Sequence, residues 1–210
     1  KNFKNIKQIA LAKSEIINNI KSNGSIILNA DDKFFKLHKQ ISQKKNLKLI
    51  SFGIKSNRAD IKLIDIKSFG KNFKIKIKFM NKIKYFIISN DYQNNIYNIL
   101  SALAVISVNL NIFNLNKYIF LNFKIPDGRG DHSIIKINNK KINLIDQSYN
   151  SNPLSLSYAI KNFDKIKLNK SKKYLLLGDM LELGSYSKKL HESIAPLINQ
   201  TKIDKVFVKG

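Results

Sequence analysis

The chain of 210 residues has no cysteine and no tryptophan, three prolines, eight glycines, and only 14 acidic residues against 38 basic ones. Without cysteine there is no disulfide and no thiolate metal site, which fits a reducing compartment; a cytoplasmic location is expected. Long hydrophobic runs are missing too. The most apolar stretch, residues 99–113, is interrupted by Ser101, Ser107, Asn109 and Asn111 and is too short to span a bilayer, so no membrane partner is expected. The N-terminus carries no uninterrupted apolar segment, so no signal peptide is expected. A chain that opens Lys-Asn-Phe in mid-pattern and closes Val-Phe-Val-Lys-Gly at a strand end reads as a piece of a longer protein.

The shortage of acid leaves a net charge of +24, which invites a nucleic-acid reading. Two observations oppose it. The lysines are scattered along the chain, and only Arg58 and Arg129 are arginine, the residue that makes bidentate contacts to bases and phosphates. Lysine, asparagine and isoleucine are over-used together, as an AT-rich coding sequence would produce. The charge is read as a background on solvated faces, and no nucleic-acid partner is expected. An apolar fraction of 43% belongs to a folded globular chain large enough for one large or two small domains.

The periodicity describes an α/β protein. Ile6, Ile9, Ala10, Lys13, Ile16, Ile17 and Ile20 share a helical face, which places Lys13 inside an apolar stripe. Strands follow at 25–29 and 47–52 with a helix at about 33–43 between them, the order of a parallel sheet. Asp31 and Asp32 stand where they could cap that helix. From 60 to 89 the period becomes 2, with Phe73, Ile75, Ile77 and Phe79 alternating with Lys74, Lys76 and Lys78: an antiparallel meander with a solvated lysine face. A broad apolar helix is expected over 94–109, with Asn95 and Asn98 near its start, and a short helix over 115–123. Residues 125–130, Ile-Pro-Asp-Gly-Arg-Gly, read as a hinge between a domain at 1–125 and another at 126–210. In a chain whose cations are nearly all lysine, Arg129 between two glycines suggests a need for a planar fork.

Two polar clusters then stand at strand ends. A hairpin over 134–137 and 142–145 runs into Asp146-Gln147-Ser148-Tyr149-Asn150-Ser151-Asn152, and Pro153 opens a helix. A strand at 174–177 ends in Gly178-Asp179-Met180, followed by a helix at about 187–199 and a strand at 205–208. Open α/β sheets place ligands at the carboxyl ends of their strands. The two clusters are expected on adjacent strands.

The segments IDQSYNSNP and LLLGDMLELG, with His191 just beyond, resemble the Mur ligases, and more weakly so does nearly the whole chain. The resemblance implies a partial central domain, with a parallel α/β sheet plus a small antiparallel sheet, followed by an incomplete Rossmann-like C-terminal domain. The GDMLELG word points to the member that adds D-alanyl-D-alanine to UDP-N-acetylmuramoyl-tripeptide, using ATP and Mg²⁺, as a monomer. Folylpolyglutamate synthases, which are related amide ligases, form the alternative. By resemblance Lys13, in Ala12-Lys13-Ser14-Glu15-Ile16, is carbamylated and helps hold Mg²⁺; without the resemblance it would simply snorkel. Asn95 and Asn98 would face adenine rather than cap their helix, Arg129 the phosphates, and Asp146, Tyr149 and Asn150 the nucleotide. Where the family commonly has a histidine and a second acid, this chain has Asn94 and Gln147. Asp179, Glu182 and His191 belong to the signature without an assigned role. The glycines at 24, 53, 70, 128, 130, 178, 184 and 210 form no G-x-x-G-K-[ST] phosphate loop. The 210 residues alone are therefore expected to bind nucleotide weakly and to catalyse nothing.

Overall fold

The computed structural model describes residues 3, 5–90, 95–123, 125–168 and 171–210. It divides between residues 123 and 124 into two compact units. Asn94 lies outside the described residues.

In the first unit, β1 (Ser25–Asn29), β2 (Lys48–Gly53), β3 (Ile61–Phe69), β4 (Asn72–Phe79) and β5 (Lys82–Ile88) form one sheet in that order. β1, β2 and the start of β3 are parallel; β3, β4 and β5 are antiparallel. The parallel and antiparallel parts are thus joined through β3. Alternation on β4 buries Ile75 and Ile77 while the intervening lysines face outward, and helix α3 (Ile96–Ile106) adds Ile99, Leu100, Leu103 and Ala104 to the same core.

Helix α1 (Ile6–Asn18) starts at Asn5, whose side chain accepts from the Gln8 amide, and its packing corrects the expectation for Lys13. The helix buries one edge of the stripe, Ala10 and Ile17 with Ser14 beside them and Ile20 half-buried, while the part around Lys13 is left out. Ile6, Ile9 and Ile16 remain exposed, Ile16 at 68%, and Lys13 is exposed among them, so burial does not desolvate its amine.

The expected helix over 115–123 is absent. Residues 112–114 form one 3₁₀ turn, and the chain then runs beside β5, with the Ile87 amide on the Lys117 carbonyl and a parallel bridge between Ile88 and Phe120. Pairing with the sheet edge buries Phe120 without a helix.

In the second unit β6 (Asp131–Ile137) and β7 (Lys140–Asp146) pair as a hairpin around Asn138 and Asn139, both at positive φ, the two-residue turn that suits asparagine. Helix α4 (Pro153–Lys165) leads to β8 (Tyr174–Leu177), helices α5 (Ser187–Glu192) and α6 (Ala195–Asn199), and β9 (Lys205–Val208). β8 and β9 are parallel. The single helix expected at 187–199 is broken because Pro196 has no N–H to continue it. Among the described residues β7 and β8 are not neighbours either: β7 pairs with β6 and β8 with β9, so the two polar clusters stand on separate sheets.

Candidate functional site

The end of the β6–β7 hairpin builds the first group. Asp131 pairs with Asp146, and the chain on either side is drawn together. The Gly130 amide donates to the Asp146 carbonyl at 2.6 Å, the Tyr149 amide to the Gly128 carbonyl at 3.1 Å, and the Gly128 amide to the Asp131 carboxylate at 2.6 Å. Gly128 has φ +71°, and a Cβ there would lie 2.9 Å from the backbone nitrogen and Cβ of Tyr149, so the approach needs glycine. A Cβ on Gly130 would meet the Gln147 amide nitrogen at 2.7 Å. The loop read as a hinge is therefore itself fastened to the end of β7.

That fastening puts the Arg129 guanidinium 4.3 Å above the Tyr149 ring, with both side chains open to solvent. The Ser148 hydroxyl and its backbone amide hold the Asp146 carboxyl below its usual range; that amide donates to Asp146 at 2.8 Å. Asn152 then accepts from the Leu154 and Ser155 amides at 3.0 Å, the Ser155 hydroxyl accepts from the Asn152 amide, and Pro153 occupies the first turn: a complete capping box. Asn150 is exposed beside it. Arg129, Asp146, Tyr149 and Asn150 are thus brought together as one cation, one anion, a ring and an amide.

The second group follows β8. Met180, 3% exposed, packs with Ile160 of α4 and Ile194, and Leu156 of α4 joins that cluster. The Met180 amide lies 2.9 Å from His191 Nε2, and His191 Nδ1 lies 2.8 Å from the Ser187 carbonyl. Helix α4, capped by Asn152 of the first group, thus packs against Met180 of the second, though the two groups stand on separate sheets.

In the first unit, Asn98 Nδ2 donates to Asn95 Oδ1 at 3.3 Å, and Asn95 makes no capping bond to α3. The two amides face one another instead of the helix end, leaving donors and acceptors for a ligand edge. Lys13 lies on the rim of an apolar cavity of about 430 Å³ beside Ile17, Ile26 and His38. Among the described residues no cluster of three or more His, Cys, Asp or Glu could hold a metal ion. A carbamate on Lys13 would need further ligands from outside that set.

Neither Asp31 nor Asp32 caps helix α2 (Phe35–Lys44), which has no side-chain cap; Asp32 accepts from the Phe34 amide in the turn that precedes it. Asp31 accepts from the Ile54, Lys55 and Ser56 amides at 2.6–3.0 Å and from the Tyr97 hydroxyl at 2.9 Å, pinning the loop after β2 to α3. The signal in the sequence was the pair Asp31-Asp32, since Asp32 alone satisfies the turn before the helix.

A parallel-to-antiparallel α/β unit, followed by a fastened Gly-Arg-Gly loop and a β–α–β unit, matches a known class in both parts. The chain belongs to the Mur ligase family: residues 1–106 match the Mur ligase middle domain, and residues 133–210 match the Mur ligase, glutamate ligase domain. It is 31% identical, over 99% of its length, to the UDP-N-acetylmuramoyl-tripeptide–D-alanyl-D-alanine ligase of Rickettsia prowazekii (strain Madrid E). Its identity to the ligase of the same name from Buchnera aphidicola subsp. Baizongia pistaciae (strain Bp) is 33%. The chain covers 45% and 43% of those relatives, less than half of each. Among solved structures it superposes on MurF from Acinetobacter baumannii with a TM-score of 0.75 at 19% identity, covering 96% of this chain and 42% of that one. For MurF ligase from Thermotoga maritima in complex with ADP the TM-score is 0.72 at 21% identity, covering 100% of this chain and 49% of that one.

Proposed function

We propose that the chain forms part of an ATP-dependent ligase that joins D-alanyl-D-alanine to UDP-N-acetylmuramoyl-tripeptide in peptidoglycan precursor synthesis. The observation that carries this reading is the match, over 99% of the chain, to curated relatives bearing that name. The geometry is compatible. The γ-phosphoryl group passes from ATP to the tripeptide carboxylate, releasing ADP. The amine then attacks the acyl phosphate carbon, phosphate leaves with the bonding pair, and the nitrogen loses a proton. Little covalent work falls to the protein in such a transfer, so positioned charge dominates. Arg129 supplies a cation for the phosphates, Tyr149 and Asp146 with Asn150 flank the nucleotide, and Asn95 with Asn98 offers amides to adenine. Mg²⁺ is the expected counter-ion; Lys13, as a carbamate, would supply one ligand to it, and the others would come from outside the described residues. The enzyme acts as a cytoplasmic monomer without nucleic-acid or membrane partners.

The test is ADP release by the product of the whole reading frame containing these residues. Release is expected only when both the tripeptide nucleotide and D-alanyl-D-alanine are present, and none is expected from the 210 residues alone. Release dependent on a folate and glutamate would favour instead the folylpolyglutamate synthase reading, whose Lactobacillus casei structure superposes with a TM-score of 0.62 at 11% identity.

A further inference from the structure

We propose that His191 is a positioning residue: as a neutral imidazole with its proton on Nδ1, it latches the turn after β8 and holds Asp179 at the carboxyl edge of β8 and β9. The assignment follows from what each partner can do. A peptide N–H only donates, so Nε2, 2.9 Å from the Met180 nitrogen, must offer a lone pair. A carbonyl only accepts, so Nδ1, 2.8 Å from the Ser187 oxygen, must carry the proton. Free histidine favours the opposite tautomer, and these two contacts select against it.

The latch acts on a turn that needs one. Glu182 at φ +64° and Gly184 at φ +60° both adopt the left-handed region within three residues, which costs backbone energy at Glu182. Met180 is the fixed point: its side chain is sunk in the Ile160–Ile194 cluster while its amide is held by His191. Asp179 sits immediately before it. Its Oδ1 lies 3.7 Å from His191 Nε2, beyond a hydrogen bond, and an Nε2 without a proton has nothing to donate. The carboxylate is therefore not consumed by the histidine and stays 60% exposed at the strand ends, where a Cβ on Gly210 would meet its Oδ1 at 2.8 Å. His191 acts on the turn and Asp179 faces outward. The latch itself does not depend on the ligase reading; only the importance of the turn to ligation does.

Nitrogen-15 histidine spectra of the 210-residue chain test the assignment without substrate. The expected pattern at neutral pH is a pyrrole-type Nδ1 and a pyridine-type Nε2 for His191. In His191→Leu the Met180 amide should exchange roughly five- to tenfold faster, as expected for one lost hydrogen bond. His191→Gln, whose amide oxygen can accept from the same N–H, should restore slow exchange. Asp179→Asn should leave the tautomer and the Met180 exchange unchanged. A proton on Nε2, or Met180 exchange equally slow in His191→Leu and the unchanged chain, would overturn the proposal. The tautomer is read on the unchanged chain, so a variant that fails to fold does not shield it. Absence of ligation by the longer protein would count against the ligase reading and leave this one standing.

Discussion

Asp31→Ala is expected to destabilise the first unit by about 3 kcal/mol, more than any other single polar change in it. Asp31 accepts four hydrogen bonds, from the amides of residues 54–56 and the Tyr97 hydroxyl. Bonds to a charged acceptor contribute about 1.5–3 kcal/mol each when buried, and the simple sum would far exceed 3. The sum does not apply because Lys55 is exposed and water can reach its amide. Asn at 31 keeps one acceptor oxygen and should cost roughly half as much, while Tyr97→Phe removes one bond and should cost about 1 kcal/mol. Urea unfolding followed by far-ultraviolet circular dichroism orders the three. An Asp31→Ala midpoint within error of the unchanged protein would show that the pin does not hold the loop.

The same carboxylate sets an acid limit. Burial pushes its pKa upward, but the Lys55, Ile54 and Ser56 amides and the Tyr97 hydroxyl outweigh burial and hold it below the ordinary carboxylate value. Burial and the neighbouring Asp31 carboxylate raise the Tyr97 hydroxyl, which keeps its proton for that bond. A carboxyl whose pKa is lower in the folded state stabilises above the unfolded value and loses that contribution as pH falls through the folded one. The unchanged chain should therefore lose stability below about pH 4, and Asp31→Asn should lose less over that interval. Equal slopes would remove Asp31 from the account.

Most of the fold was legible because period carries so much of it. The alternation of Phe73, Ile75 and Ile77 with lysines, and the apolar run of 174–177, could scarcely be anything but strands. The errors arose where two solutions satisfied the same pattern. Helix α1 carries an apolar stripe wider than the face that packs, and which edge is buried, Ala10 and Ile17 and not Ile6, Ile9 and Ile16, depends on where the neighbouring elements lie. Residues 115–123 bury Phe120 by pairing with β5, which no local signal announces. The site shows the same division. The residue types at 129, 146, 149 and 150 were readable, whereas the backbone bonds that fasten the Gly-Arg-Gly loop to β7 join residues with no periodic relation. His191 could be named as part of a signature, but only its two contacts say what it holds.

In the longer ligase of which this chain is proposed to be part, Arg129→Ala should lower kcat/KM for ATP by about 10²–10³-fold, the usual loss when a cation aimed at developing phosphate charge is removed. Lysine should rescue little, because it keeps the charge without the planar fork or the stacking surface. Tyr149 separates two explanations of that loss. A guanidinium stacked on an exposed ring gains about 0.5–1 kcal/mol, so positioning of Arg129 by the ring supports only about a two- to fivefold effect of Tyr149→Ala. Tyr149→Phe keeps the ring and should be nearly silent. If Tyr149→Ala instead matches Arg129→Ala, the ring contacts the nucleotide directly and the stack is incidental. Gly128→Ala supplies the third comparison: its Cβ would lie 2.9 Å from Tyr149 at a left-handed backbone position, so it should displace the ring and the arginine together. Its loss should exceed that of Tyr149→Ala and stay below that of Arg129→Ala, whose charge it retains. An Arg129→Ala enzyme within threefold of the unchanged one would place the phosphate contact elsewhere.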